Sequence, residues 1–234
     1  MLASITLAVF ISQAALKSED VSLGVGDAVK QYDVIEVFYT GTLVGGKEFD
    51  SNVKTGKSLR FQVGIGRVIK GWDLGVIGMK PNGERKLIVP PDFAYGPEAY
   101  GNLIPANSTL NFTIKLAKVL PRSIITVLAE GKGEPLKLGQ FVDCKLSVKS
   151  STGNEIADPT KESRLALSPK IFPGINQAIG GIKVGEKRKV IVNSELAFGD
   201  KGFPPVDQNG KKAGSVIPPK SDLIIEIEAT KISD

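Results

Sequence analysis

The residue types able to do chemistry are few in this chain, and the missing ones decide most. Its 234 residues include no histidine, so the usual general base and the commonest metal ligand are both absent. Cys144 is the single cysteine, so no intramolecular disulfide and no thiolate cluster can form. A zinc site, a histidine-dependent triad and a disulfide scaffold are thereby excluded, and nothing calls for a metal or a cofactor. Cys144 lies between Val142 and Leu146 in a strand-like run and reads as a buried structural thiol. What remains is a group of aromatic residues and some carboxylates, with ordinary readings when taken singly. Trp72 would be a core side chain, Asp50 a turn or capping residue, and Gly71 and Gly96 places where the backbone turns.

The elements that must position these residues come in two copies. Gly71 to Gly96 aligns without a gap with Gly174 to Gly199: Arg85-Lys86-Leu87-Ile88-Val89 matches Arg188-Lys189-Val190-Ile191-Val192, and Asp92-Phe93-Ala94-Tyr95-Gly96 matches Glu195-Leu196-Ala197-Phe198-Gly199. Ile104-Pro105 then pairs with Ile217-Pro218 after an insertion in the second copy around Phe203-Pro204-Pro205 and Gly210-Lys211-Lys212. A loop accepts such an insertion cheaply, because closure entropy grows slowly with length. A repeat of this length is a duplicated domain and not a solenoid. The boundary falls near Leu120-Pro121-Arg122-Ser123, where proline interrupts the ladder before Ile124 to Leu128 begins another strand. Within a unit, Val34 to Tyr39, Lys86 to Val89 and Leu110 to Leu116 read as strands, and Val44-Gly45-Gly46-Lys47 as a turn. Trp72, Val76 and Met79 stand at helical spacing between Gly71 and Pro81-Asn82-Gly83. The fold class is α+β, antiparallel strands with one short helix on one face.

Charge and the N-terminus bound the setting. The net charge of +5 arises from basic and acidic residues interspersed along the chain, with no basic stripe to neutralise phosphates, so nucleic acid is not an expected partner. Leu2 to Leu16 is an apolar run that turns abruptly polar at Lys17-Ser18-Glu19-Asp20. It is too short for a membrane span. Small residues at Ala14 and Ala15 suit signal-peptidase cleavage, although no positive residue precedes Lys17. Residues 1–16 therefore read as a signal for the secretory pathway (ER lumen or secreted) or the periplasm, the cytoplasm being the alternative if that reading fails. Asn107-Ser108-Thr109 and Asn111-Phe112-Thr113 are glycosylation sequons.

The first copy resembles the FKBP family of peptidyl-prolyl isomerases. The resemblance rests on Val37-Phe38-Tyr39-Thr40-Gly41, Phe49-Asp50-Ser51, Val68-Ile69-Lys70-Gly71-Trp72, Phe93-Ala94-Tyr95-Gly96 and Ile104-Pro105, in matching order and spacing. It implies two FKBP-like domains, each a half-wrapped antiparallel sheet around a short helix: a catalytic one at 18–120 and a degenerate one at 121–234. Carried over by position, Tyr39, Asp50, Trp72 and Tyr95 are the implied catalytic residues. Trp72 forms the pocket floor, Asp50 meets Tyr39 at one wall, and the Tyr95 hydroxyl and Ile69 amide hold substrate carbonyls. Phe49, Val68 and Phe112 line the pocket, and Tyr100, Leu103 and Ile104 lie on an overhanging loop. Leu59 stands where the family often has an aromatic, and Tyr100 where some members have histidine. The implied partners are proline-containing polypeptides, with macrolide immunosuppressants as inhibitors.

The second copy sets Leu146 opposite Tyr39, Ile156 opposite Phe49, Ala157 opposite Asp50, Ile175 opposite Trp72, Phe198 opposite Tyr95 and Ile225 opposite Phe112. Core positions stay apolar while the pocket loses its aromatics, hydroxyls and carboxylate, so the second unit is expected to fold without catalysing. The competing readings are a non-enzymatic binding module or chaperone for proline-containing segments, and an adaptor that docks a partner through the loop from Asp200 to Ser215.

Overall fold

A computed structural model describes residues 15–157, 159–203 and 217–234. The export-signal reading of residues 1–16 falls almost wholly outside them, and so does most of the loop from Asp200 to Ser215. The chain forms two sheets of identical connectivity. In the first unit, β1 (Lys17–Ser22), β2 (Val34–Leu43), β3 (Glu48–Ser51), β4 (Leu59–Gln62), β5 (Glu84–Val89) and β6 (Leu110–Val119) surround helix α1 (Lys70–Gly75). In the second, β7 (Ile124–Ala129), β8 (Phe141–Ser150), β9 (Glu155–Ala157), β10 (Glu162–Ala166), β11 (Lys187–Val192) and β12 (Leu223–Ser233) surround α2 (Pro173–Ile179). The strand order is β1-β5-β6-β2-β3 with β4 on β2, and correspondingly β7-β11-β12-β8 with β9 and β10 on β8. All pairs are antiparallel. This is the α+β arrangement read from the sequence.

The central strands explain why the sheets curl around their helices. Along β6, Leu110, Phe112, Ile114 and Leu116 are buried while Asn111, Thr113 and Lys115 point away. That alternation puts one face of the ladder on the helix and the other in water. β12 repeats it with Leu223, Ile225, Ile227 and Ala229. The first core gathers Trp72, Val76 and Met79 against Phe61, Leu87, Phe112 and Ile114. The second gathers Ile175, Ala178 and Ile179 against Val142, Val190, Val192 and Ile225.

The helix from Trp72 to Met79 is corrected at its C-terminal end. α1 stops at Gly75, and Met79 reaches the core from a turn in which Gly78 has φ +84°. Spacing could not distinguish the last helical turn from a turn that buries the same side chain.

Cys144 sits in β8 with no exposed surface, its Sγ 3.5 Å from the Ser163 carbonyl. Burial, reinforced by the Asp143 and Glu162 charges, pushes the thiol up to about 12, far from the thiolate form that reacts. Ellman's reagent is expected to leave the native protein unlabelled and to titrate the thiol once denaturant is added. Rapid labelling of the native chain would show that β8 opens readily.

No helix among the described residues is long and apolar enough to cross a membrane.

Candidate functional site

The first unit carries a pocket of about 400 Å³ between its sheet and α1, lined by Tyr39, Phe49, Asp50, Leu59, Gly66, Arg67, Val68, Ile69, Trp72, Tyr95 and Phe112. Each wall comes from a different element. β2 supplies Tyr39, β3 supplies Phe49 and Asp50, and β4 supplies Leu59. The loop entering α1 brings Gly66 to Ile69, and β6 brings Phe112. A short 3-10 turn, Pro91–Phe93, delivers Tyr95 just beyond it.

Trp72 is 4 % exposed. Three rings surround it: Tyr39 edge-on at 4.8 Å, Phe112 edge-on at 5.2 Å and Phe61 tilted at 5.8 Å between centroids. Its Nε1 is buried with no hydrogen-bond partner among the described residues. Phe49 meets Phe112 edge-on at 5.7 Å. Gly41 makes this ring packing possible, since a Cβ there would stand 2.7 Å from Phe49 and 2.8 Å from Phe112.

The polar wall is a single strong bond: the Tyr39 hydroxyl donates to Asp50 Oδ2 at 2.6 Å. Burial raises the Tyr39 phenol far above the ordinary tyrosine value, and the hydrogen bond to Asp50 and its charge raise it further. The Tyr95 hydroxyl is also raised, first by burial and then by Tyr100 and Asp50. Both phenols therefore stay protonated: the Tyr39 proton is committed to Asp50, and the Tyr95 hydroxyl keeps one to donate. Asn52, which sequence reasoning missed, fixes this wall: it accepts from the Tyr39 amide at 2.8 Å and donates to the Val37 and Lys57 carbonyls.

Most of the expected residues come together here, and the overhanging loop is where the structure departs. Tyr100 does not line the cavity; it is exposed and stacks on Tyr95 at 4.4 Å. Leu103 is exposed and away from the lining, whereas Ile104 is buried in the core and bridges back to Tyr100. A side chain serving the core leaves its neighbour pointing outward, so the loop presents Tyr100 and Leu103 as rim residues. Gly66 and Arg67 line the pocket without having been anticipated. Among the sequons, Asn107 is exposed in a loop, while Asn111 lies inside β6, paired to β2 and β5.

The second unit keeps the scaffold and changes the contents. Leu146 faces Ile227 across the ladder as Tyr39 faces Ile114, and Ala157 faces Val148 as Asp50 faces Gly41. Ile175 and Ile225 replace Trp72 and Phe112, both buried. Val148, buried, stands where the first unit has Gly41. The rim stack survives without hydroxyls: Phe198 lies on Phe203 at 4.8 Å. Phe203 bridges to Ile217 as Tyr100 bridges to Ile104, so the insertion falls between the bridge residues. The side chain of Ile156 lies outside the described residues, as does Asp158, the neighbouring carboxylate that a one-residue register shift would have set opposite Asp50; the ladder sets Ala157 there.

The model of the FKBP-type peptidyl-prolyl cis-trans isomerase family matches residues 26–117 and again 132–230. FK506-binding protein 2 of Dictyostelium discoideum is 48% identical over 87 residues, 37% of this chain and 65% of that protein. Peptidyl-prolyl cis-trans isomerase FKBP10 of Mus musculus is 32% identical over 209 residues, 85% of this chain and 34% of that protein. The chain thus spans less than two thirds of the length of these relatives. The crystal structure of FkpA from Escherichia coli is 42% identical, covering 45% of this chain and 48% of that one, with a TM-score of 0.42.

Proposed function

Because the chain belongs to the FKBP-type peptidyl-prolyl cis-trans isomerase family, we propose that residues 18–120 isomerise X–Pro bonds of polypeptide substrates and that residues 121–234 do not catalyse. The observation that carries this reading is the aromatic box around Trp72, closed on one side by the Tyr39–Asp50 hydrogen bond.

The reaction needs an environment more than a reagent. Rotation about the peptide bond meets a barrier of about 18–20 kcal/mol from amide resonance, and X–Pro bonds relax unaided over tens to hundreds of seconds. Resonance gives the planar ground state more charge separation than the twisted transition state, so water stabilises the planar form preferentially. A prolyl ring enclosed by Tyr39, Phe49, Trp72 and Phe112 loses that water, which acts on the barrier itself. The Tyr95 hydroxyl and the Ile69 amide at the wall add differential binding where they meet a carbonyl better in its rotated state. Each tenfold in rate requires about 1.4 kcal/mol, so a few such contributions suffice.

Macrolides of the kind that the FK506-binding relatives are named for would compete for the same box. The apolar run ending at Leu16 supports export to the secretory pathway or periplasm, where Asn107 would be the sequon open to glycosylation. A role in binding unfolded proline-containing chains is compatible with the second unit.

A protease-free prolyl-isomerisation assay on the full chain, with and without FK506, tests the reading. We expect FK506-inhibitable turnover that does not decline as the pH approaches the ordinary tyrosine value of 10.0, because both wall phenols are held protonated beyond it. Absence of turnover from folded protein that still binds FK506 would convert the assignment to a binding module.

A further inference from the structure

The two copies differ where they touch one another, and the ladder registers show which positions correspond. Asp73 on α1 accepts the Gly64 amide at 2.9 Å and the Gly66 amide at 2.9 Å. Asn176, at the same place on α2, does the matching task through Oδ1, accepting the Ser168 amide at 3.0 Å. The amide group that aspartate lacks does something new. Asn176 Nδ2 donates to Gln62 Oε1 of the first unit at 2.7 Å, with Asn176 fully buried and Gln62 at 3 % exposure.

The neighbouring positions have diverged in the same sense. Gln62 also donates to the carbonyls of Tyr32 and Pro173, at 2.9 and 3.0 Å. Its ladder counterpart is Ala166, which cannot. Gln177 donates to the Tyr32 carbonyl at 3.0 Å, whereas its counterpart Leu74 is an exposed side chain. Tyr32 holds φ +68° where the second unit has Gly139 at +93°, a conformation that a bulky residue adopts only when its surroundings impose it. Its ring packs on Gly180, where no Cβ would fit and where the first unit instead has Ile77, two residues beyond α1. A surface left to drift would not acquire matched donors and acceptors on both sides, with the buried amides of Gln62, Asn176 and Gln177 all paired.

The joint leads directly to the pocket. Gln62 ends β4 next to Phe61, which packs on Trp72. The chain then continues through Gly64 and Gly66, both held by Asp73, to Arg67, Val68 and Ile69 in the pocket wall. Arg67 also lines a cavity of about 170 Å³ between the units, beside Pro169 and Ile171.

We propose that the second unit is a strut for the first unit's pocket: Asn176, through Gln62, is a positioning residue that holds the wall segment 62–69. This deepens the isomerase reading of that pocket, but the primary test does not depend on activity. In the full chain, Asn176→Asp keeps the acceptor for the Ser168 amide and removes the donor that serves both Gln62 Oε1 and the Ser168 carbonyl; Gln62→Leu separates the two, since it leaves the Ser168 contacts in place. Amide exchange across residues 63–69 should rise about tenfold, with the central strand β12 unchanged. The emission of Trp72, the single tryptophan, should shift with it. KM for a proline tetrapeptide should rise about fivefold with kcat nearly constant. Gln62→Leu, on the other side of the joint, should reproduce these changes if Asn176→Asp does not fold, and the double variant should be no worse than either. Parent-like exchange at 63–69 with unshifted Trp72 emission in a folded variant overturns the proposal, as does a rise equal in β12. A parent chain without isomerase activity would count against the isomerase reading alone.

Discussion

Trp72→Ala in the full chain is expected to cut kcat/KM for a prolyl peptide by about a hundredfold or more, because it removes a lining ring of the pocket together with the support it gives Tyr39 and Phe112, and each 1.36 kcal/mol of lost transition-state stabilisation is about a factor of ten. The same substitution should destabilise the first unit by about 3–5 kcal/mol, since an almost fully buried indole leaves a cavity its neighbours cannot fill. A loss of that size is a large fraction of the stability of a typical domain. Activity should therefore be measured well below the unfolding transition, with far-UV circular dichroism confirming the fold. Ile175→Val, at the corresponding position on α2, provides the contrast. It trims a buried side chain at a cost of about 0.5–1.5 kcal/mol and should leave turnover unaltered. If Trp72→Ala remains folded and active while Ile175→Val loses activity, the assignment of the site to the first unit is wrong.

That contrast was legible in the sequence only in part, and the reasons are physical. The sheets were visible because a strand with one buried face writes its period into the chain, as Leu110, Phe112, Ile114 and Leu116 do. The end of α1 was not, because Met79 is buried equally well by a turn. Tyr39 and Asp50, eleven residues apart along the chain, have no periodic relation; their meeting was implied by family resemblance, and their geometry came from the structure. Asn52, Gly66 and Arg67 carry no pattern at all: a polar side chain tying two strands together looks like any loop residue. The joint is the extreme case. Gln62 and Asn176 are 114 residues apart, and single amides in polar surroundings read as solvated surface until both are found buried. Aligning the two copies did hold a clue. Asn176 against Asp73 and Gln177 against Leu74 exchange polar character at gaplessly aligned helix positions, but Lys70 against Pro173 and Trp72 against Ile175 differ there too, so the sequence alone does not separate these changes from drift.

The second large effect is expected at the ion pair that closes this joint. Asp33 is buried, and its carboxylate accepts from Arg122 Nε at 2.7 Å, from Arg122 Nη2 at 2.7 Å and from the Lys30 amide at 2.8 Å. Arg122 comes from the segment joining the two sheets and also donates to the Ala28 carbonyl at 2.8 Å. Its contact with Asp27, at 3.2 Å on a carboxylate 86 % exposed, is a surface pair of little worth. Arg122→Met removes the countercharge and leaves the buried Asp33 with one donor. Breaking a buried pair from one side costs about 3–5 kcal/mol; the Arg122 side chain is 30 % exposed, so the expected loss lies near the lower end of that range. Urea titration of the full chain should therefore show Arg122→Met destabilised by about 3 kcal/mol. Asp33→Asn added to it should recover much of the loss, because the cost comes from an unpaired charge and not from a missing contact. If Arg122→Met falls within about 0.5 kcal/mol of the parent, as a surface bridge would, the pair contributes nothing to the joint. The strut would then rest on the amide contacts of Gln62, Asn176 and Gln177 and on the Tyr32–Gly180 packing.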